Sequence, residues 1–361
     1  MLILAFESSC DETSAAVVRD GAILSNVVSS QTALHAEYGG VVPELAAREH
    51  LLNLIPVVRK SVADAGTSAD RIDAVAATRG PGLPSALMVG LKAGQALAFF
   101  LRRPFIGIHH HEAHLYSPWI GPSAGKKAAS DSRATDDPRG SLRTTSPTFS
   151  EFEPNVSLIV SGGHTMLVHV ESVLRHRVLG STLDDAAGEC FDKAGKLLGL
   201  PYPAGPIIDA MAQSGNPKAY DFPRPMMNDA GDDFSFSGLK TSVRYFLRDH
   251  PELAEDEWKV RDLCASVQSA IVDVLVTKTV RAAKRLRVNW VTASGGVTCN
   301  RELRERLAGA CAQNRLKLRL AEKSLCTDNA GMIGILAEKK LSLGCEPTGL
   351  DEDIEPGWEL G

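Results

Sequence analysis

Two stretches far apart in the chain share one pattern. "LIVSGGHT" (158–165) and "VTASGGVT" (291–298) each run from a short apolar strand into Ser-Gly-Gly and a polar turn. The rest of the sequence keeps the same alternation of strand and helix. Apolar runs at 2–6 and 15–18 flank the polar turn "ESSCDETS", a third strand follows at 22–28, and helical spacing runs from Pro43 to about 65. Pro43 suits a first helical turn. Strand 72–78, a helix to about 101 and strand "FIGIH" complete the first half, and the second half again opens on a hairpin, "SLIVS" then "MLVHV". Helical patterns dominate from 184 to 286, followed by strand 288–294, helix 299–313, strand "LKLRLA" and a last helix from about 327 to 343. At 361 residues the chain is too long for one small core. The pattern implies an α/β protein with two similar domains facing one cleft. In chain order these are 1–120 and 155–343, separated by an insert at 121–154 and followed by a tail at 344–361. The last helix packing back on the first domain is the variant of this division.

The insert, rich in Ser, Thr, Pro, Gly and charge, cannot bury enough apolar surface to offset its ordering entropy and reads as a surface loop or disordered segment. At the glycine turns two readings stand side by side. Gly-Gly either only makes a turn, or lets successive amides point at an anion such as a phosphate.

Bulk properties exclude several classes. The start "MLILAFESSCDE" meets acid too early for a signal peptide. No apolar run looks long enough for a membrane span, and seven scattered cysteines without a CxxC pair read as free thiols in a reducing compartment. The expected location is the cytoplasm, with the mitochondrial matrix as the alternative if a presequence was trimmed. A net charge of −5 argues against blanket nucleic-acid coating. Local basic clusters do exist, at Arg281, Lys284, Arg285 and Arg287 and from Arg301 to Arg306, and a solvated helix face is their plain reading.

The stretch "IGIHHHEAH" packs four histidines into six positions where a strand ends and a helix begins. On a helix His110 and His114 stand at i and i+4, on one face, at a separation one metal can bridge. His111 lies about 100° round and His109 precedes the helix, so neither shares that face. Asp328 in "CTDNAGM", at the start of a helix, stands out as a distant third ligand. The alternative is a polar helix start without a metal. A metallopeptidase is disfavoured, because Glu112 lies at the wrong offset for HExxH. Elsewhere, Asp185, Glu189, Asp192 and Lys196 form a helical acidic stripe before "PYPAGP", where Gly205 can admit a ligand close to the backbone. "FSFSGLKT" with Lys240 is a weak phosphate candidate.

Taken together, "ESSCDET", "HAEYGGVVPELAAREH", "GPGLPSAL", "HHHEAH", "VSGGHT", "DDAAGECFDKAGKLLGLPYPAGP", "FSFSGLKT", "SGGVTCN" and "CTDNAGM" resemble, in order, the tRNA threonylcarbamoyladenosine transferases of the TsaD family, formerly called O-sialoglycoprotein endopeptidases. The resemblance implies the actin-like fold of sugar kinases and chaperone ATPases, two domains around a nucleotide cleft. It implies transfer of threonylcarbamoyl from threonylcarbamoyl-AMP to N6 of the adenosine at position 37 of tRNAs reading codons that begin with A, with release of AMP. By that resemblance His110, His114 and Asp328 are metal ligands, for iron with zinc as the alternative. Ile159, Val160, Ser161, Gly162, Gly163, Asp192, Gly205, Asp209 and Asn300 contact substrate or nucleotide. Asp11 and Glu12 are catalytic, one of them orienting or deprotonating the adenine amine. Ala204 and Ala113 depart from glycines common in the family. The implied partners are tRNA, a paralogous actin-like subunit of TsaB type and a small ATPase of TsaE type, with a homodimer as the alternative. A small-molecule O-carbamoyltransferase or an ATPase on the same fold is the competing function. His109 and His111 carry no assigned role.

Overall fold

The computed structural model describes residues 1–121 and 152–361. It divides the chain into two units, Met1–Phe152 with Thr327–Leu360, and Glu153–Cys326 with Gly361. The sequence-based insert at 121–154 falls mostly outside the described residues.

The first unit is built on strands β1 (Leu2–Glu7), β2 (Glu12–Arg19), β3 (Ala22–Ser30), β4 (Ala74–Gly80) and β5 (Phe105–His109), in the order β3-β2-β1-β4-β5. β1, β2 and β3 pair antiparallel, as their short polar turns dictate, and β4 and β5 add in parallel beyond β1. Parallel pairing needs a crossover. Helix α3 (Pro84–Leu101) supplies it between β4 and β5, while α1 (Thr32–Ala36) and α2 (Pro43–Asp64) lead from β3 to β4. α4 (His110–Tyr116) follows β5 directly, and α10 (Ala330–Ser342) completes the unit.

That last helix follows the variant of the division, packing back on the first domain, and not the chain-order bounds that left it in the second. It lies on β1 and β2 because Gly331 and Gly334 remove the side chains that would collide. A Cβ on Gly334 would stand 2.6 Å from Val18 and one on Gly331 2.7 Å from Ile23. Its first amides also donate across the chain, Ala330 N–H to Ser14 Oγ at 2.9 Å and Gly331 N–H to Asn26 Oδ1 at 3.2 Å.

The second unit repeats the frame. Strands β6 (Asn155–Val160), β7 (Thr165–Ser172), β8 (Arg175–Ser181), β9 (Trp290–Ser294) and β10 (Lys317–Leu320) take the order β10-β9-β6-β7-β8. Antiparallel pairing runs through β6, β7 and β8, and parallel pairing through β6, β9 and β10. Helices α5 (Ala187–Leu197), α6 (Ala204–Ala212), α7 (Ser237–Asp249), α8 (Glu257–Leu286) and α9 (Arg301–Gln313) surround this sheet. The expectation of two similar domains is met, for a different reason than the one that raised it. The two Ser-Gly-Gly turns are not one per domain; they follow adjacent parallel strands, β6 and β9, of the same unit.

By composition α8 and α3 reach the length and apolarity of a membrane span, contrary to the sequence reading. For α8, 89% of that apolar window is buried as the core helix of its unit, and α3 packs between β4 and α2. Helix α5 packs closely on α6, where a Cβ on Gly195 would lie 2.1 Å from the Cβ of Ala204. Backbone-borne atoms cannot yield cheaply, so Gly195→Ala is expected to cost about 1–3 kcal/mol. A urea unfolding midpoint equal to the parent's would show that this contact is slack.

Candidate metal centre

His109 has extended backbone angles, and the chain turns from β5 into α4 within one residue. All seven residues of α4 are buried. The i,i+4 spacing brings the His110 and His114 rings to 4.8 Å between centroids. Asp328 reaches them from the start of α10. There Asn329 caps the helix, accepting from Met332 N–H at 3.1 Å, and its Nδ2 donates back to the Thr327 carbonyl at 2.8 Å, so the residue between them is held from both sides. Asp328 Oδ1 lies 3.4 Å from His110 Nε2 and 3.2 Å from His114 Nε2. One ligand atom from each of the three residues falls within 4.8 Å of the other two.

Behind His110 stands a residue that the sequence reading quoted but did not single out. Glu7, the last residue of β1, has no exposed surface. Its Oε2 accepts from Thr78 Oγ1 at 2.6 Å and faces His110 Nδ1 at 3.0 Å, and its Oε1 accepts from the Ser9 amide at 2.6 Å. Ser9 Oγ lies 3.2 Å from the same ring nitrogen. A histidine donating Nδ1–H to a buried carboxylate presents Nε2 outward in one orientation, the arrangement that supports metal-ligating histidines. Two imidazoles and a carboxylate, with a carboxylate behind one ring, fit a divalent first-row metal.

The electrostatics agree. Burial alone would depress the His110 pKa, but the Asp328 and Glu7 carboxylates raise it well above the ordinary imidazole value. Burial would raise Glu7 and Asp328, yet His110 brings Glu7 below its usual value, and His110 with His114 holds Asp328 well below. Glu12 moves the other way, its pKa pushed well up by burial and by the Asp11 and Asp328 charges. The expected pair Asp11 and Glu12 therefore lies within the electrostatic reach of the ligand cluster. Glu112 does not belong to it, because its Oε2 pairs with Lys340 Nζ at 2.6 Å and ties α4 to α10.

In the second unit the remaining candidates form a chain of contacts. The Ser161–Gly163 turn closes on itself, Ser161 N–H donating to the His164 carbonyl at 2.8 Å, and α5 starts on it with Gly188 N–H donating to the Ser161 carbonyl at 3.2 Å. Built Cβ atoms on Gly162 and Gly163 meet open space. Ile159 and Val160 are fully buried in β6, so only their backbone is available to a ligand. Asp192 leaves the acidic stripe. Its Oδ1 accepts from the Ala204 amide at 2.8 Å and the Gly205 amide at 3.4 Å, at the start of α6, while Lys193 holds Asp185 and Glu189. Asp209 accepts from the Arg301 amide at 3.2 Å, and Asn300 caps α9 through Leu303 N–H at 2.9 Å.

Two weaker readings are corrected. At "FSFSGLKT" the anion is internal. Burial would raise Asp184, but the Ser235 and Ser237 hydroxyls and the Phe236 and Ser237 amides pull it down to about 2, and Lys240 pairs with Asp185 at 2.7 Å. The basic clusters are largely structural, with Arg285 on Asp232, Arg306 on Asp273, and Arg304 on the Thr298 and Ala321 carbonyls.

Comparison with known proteins follows the same line. The family model described as "TsaD: tRNA N6-adenosine threonylcarbamoyltransferase" matches residues 22–128 and 142–335. A protein of Pelobacter propionicus named tRNA N6-adenosine threonylcarbamoyltransferase is 45% identical over 361 residues, covering 100% of this chain and 98% of its own. One of the same name from Salinibacter ruber is 45% identical over 364 residues, covering 100% of both. Among solved structures, full-length HypF in its phosphate- and nucleotide-bound form has a TM-score of 0.57 at 13% identity, over 96% of this chain and 47% of that one. The activator of the 2-hydroxyisocaproyl-CoA dehydratase from Clostridium difficile with bound ADPNP has a TM-score of 0.50 at 11% identity, over 95% of this chain and 97% of that one. These two likenesses concern the fold, which is that of the actin-like ATPases. By the match along nearly its whole length, the chain belongs to the TsaD family of tRNA N6-adenosine threonylcarbamoyltransferases.

Proposed function

We propose that the chain takes the threonylcarbamoyl group from threonylcarbamoyl-AMP and places it on N6 of the adenosine at position 37 of tRNAs reading codons that begin with A. The observation that carries the reading is the His110, His114 and Asp328 donor set, with both rings buried, backed by Glu7 and flanked by Asp11 and Glu12. In the reaction the adenine amine forms a C–N bond to the carbamoyl carbon, the C–O bond to the phosphate breaks with its electron pair on AMP, and the amine gives up a proton. A divalent metal bound by the three ligands, iron with zinc as the alternative, would supply Lewis acidity at the donor's oxygens. Glu7 holds His110 in the ligating tautomer. Asp11 or Glu12 orients the amine or takes its proton. The open Gly162–Gly163 turn and Gly205 at the start of α6 offer backbone for the AMP part.

Partners belong to the same proposal. Arg285, Arg304 and Arg306 of the two basic clusters are held by internal partners, and α2 leaves Leu51, Leu52 and Ile55 more than 60% exposed, an apolar row suited to another protein. We assign it to a paralogous actin-like subunit of TsaB type, with a small ATPase of TsaE type completing the set. A homodimer is the alternative. The seven cysteines form no disulfides, which favours the cytoplasm as the compartment.

Incubation with tRNA, ATP, bicarbonate, labelled threonine and a threonylcarbamoyl-AMP synthase, with and without those partners, tests the function. Label is expected in tRNA with AMP released, and His110→Ala, His114→Ala or Asp328→Ala should each cut it at least ~100-fold. Release of phosphate from ATP without tRNA at a rate matching transfer would favour the ATPase reading instead.

Metal uptake should depend on Glu7 and on pH. A metal must displace the proton that the raised pKa keeps on His110, so affinity is expected to fall as pH drops below that pKa, by about tenfold per unit for one proton. Glu7→Gln should weaken affinity about 10- to 100-fold and flatten this dependence, since it removes one of the two charges that hold the proton. Isothermal titration across pH 5.5–8 with zinc checks both, and an unchanged profile in Glu7→Gln would remove Glu7 from the site.

A further inference from the structure

His109 was left without a role, yet it holds two bonds that fix its chemistry. Its Nδ1 faces the amide N–H of Glu112 at 3.3 Å, and its Nε2 faces the carbonyl of Trp358 at 3.1 Å. The amide can only donate and the carbonyl can only accept. The ring is therefore the tautomer with hydrogen on Nε2 and a lone pair on Nδ1, acting as the N-cap of α4. That helix has seven residues, two of which are the metal-ligating histidines. A helix so short cannot hold its own first turn and depends on what fixes its ends.

Trp358 is in turn fixed by the end of β4. Its ring lies 4.9 Å from that of His109, and the Arg79 guanidinium stands 5.4 Å over it. Glu355 N–H donates to the Arg79 carbonyl at 2.9 Å, Trp358 N–H to the Glu355 carbonyl at 3.0 Å, and Gly82 N–H to the Pro356 carbonyl at 3.2 Å. Arg79 also bonds the Asp353 carbonyl at 2.9 Å and the Glu352 carboxylate at 2.8 Å. The approach is close enough that a Cβ on Gly80 would stand 1.9 Å from the Glu355 oxygen.

We infer that the segment 352–358 positions the metal centre, through the Trp358 carbonyl and His109, by holding the tautomer that caps the ligand helix. The inference rests on the metal reading of His110, His114 and Asp328. With nothing to accept from Nε2, the ring is free to carry its hydrogen on Nδ1 instead, the cap is lost, and the first turn of α4, with His110 in it, loosens. His109 is a positioning residue that acts through the helix backbone.

The test is titration of the full chain with Co(II), followed by the visible absorption of the bound ion, alongside thermal melting. Absence of Co(II) binding by the parent would sink the metal reading itself. Given binding, His109→Ala should weaken it about 10- to 100-fold, the range for groups that orient ligands from behind. Trp358→Ala leaves the carbonyl but removes the ring that seats it between His109 and Arg79. It should weaken binding about tenfold in the parent and by less than about twofold in the His109→Ala background, because both act through one link. His109→Asn restores a capping oxygen and should recover affinity to within about threefold, with Trp358→Ala then without effect. Parent-like affinity in folded His109→Ala, or additive losses in the double variant, would overturn the inference. If His109→Ala does not melt cooperatively, the decision falls to Trp358→Ala in the parent and in His109→Asn, where equal losses would overturn it.

Discussion

A carboxylate with no exposed surface at the end of an apolar strand is the constraint on which the first unit turns. An uncompensated charge at Glu7 would cost several kcal/mol, so its oxygens must be met by donors. Those donors come from three places: the Ser9 amide from the turn after β1, Thr78 from β4, and His110 from the residue after β5. Three neighbouring strands thus have their ends registered to one side chain. The same bond that satisfies Glu7 aims His110 Nε2 at Asp328 and His114. Relief of a burial penalty and orientation of the His110 ring are one interaction, which explains why a carboxylate is tolerated where the rest of β1 is apolar.

Much of this was legible in the sequence, and the losses have identifiable causes. Helical spacing alone selected His110 and His114, and Asp328 was recognisable by its place at a helix start. Glu7 was hidden because its signal, one acid closing an apolar run, is local, while its partners are 71 and 103 residues away. His109 escaped for a similar reason: a cap tethered to Trp358 cannot be seen without knowing that residues 352–358 run along the end of β4. For α10 the sequence offered both placements, since chain order is a poor guide when a helix crosses back, and the cue that decides between them, Gly331 and Gly334 on one face, acquires meaning only against Val18 and Ile23. The phosphate reading of "FSFSGLKT" failed because Asp184 supplies the anion from within.

The duplicated frame also carries two chemically different turns on one topology. β1 of the first sheet corresponds to β6 of the second and β4 to β9, since each pair holds the same place in the strand order. The close approach between neighbouring turns is repeated as well. A Cβ on Gly82 would stand 2.6 Å from the Ser9 carbonyl oxygen, and one on Gly295 2.3 Å from that of Val160. What differs is the sequence of the turn. After β1 it reads "SSCDE", following Glu7, and its carboxylates favour a cation; after β6 it reads "SGGH", with no acid and with glycines that leave amides accessible. Negative side chains and exposed N–H groups are opposite electrostatic instruments. With the backbone held constant, this change of a few residues gives one unit a turn of carboxylates and the other a turn of accessible amides, the contrast on which the proposed division of labour between metal and phosphate rests.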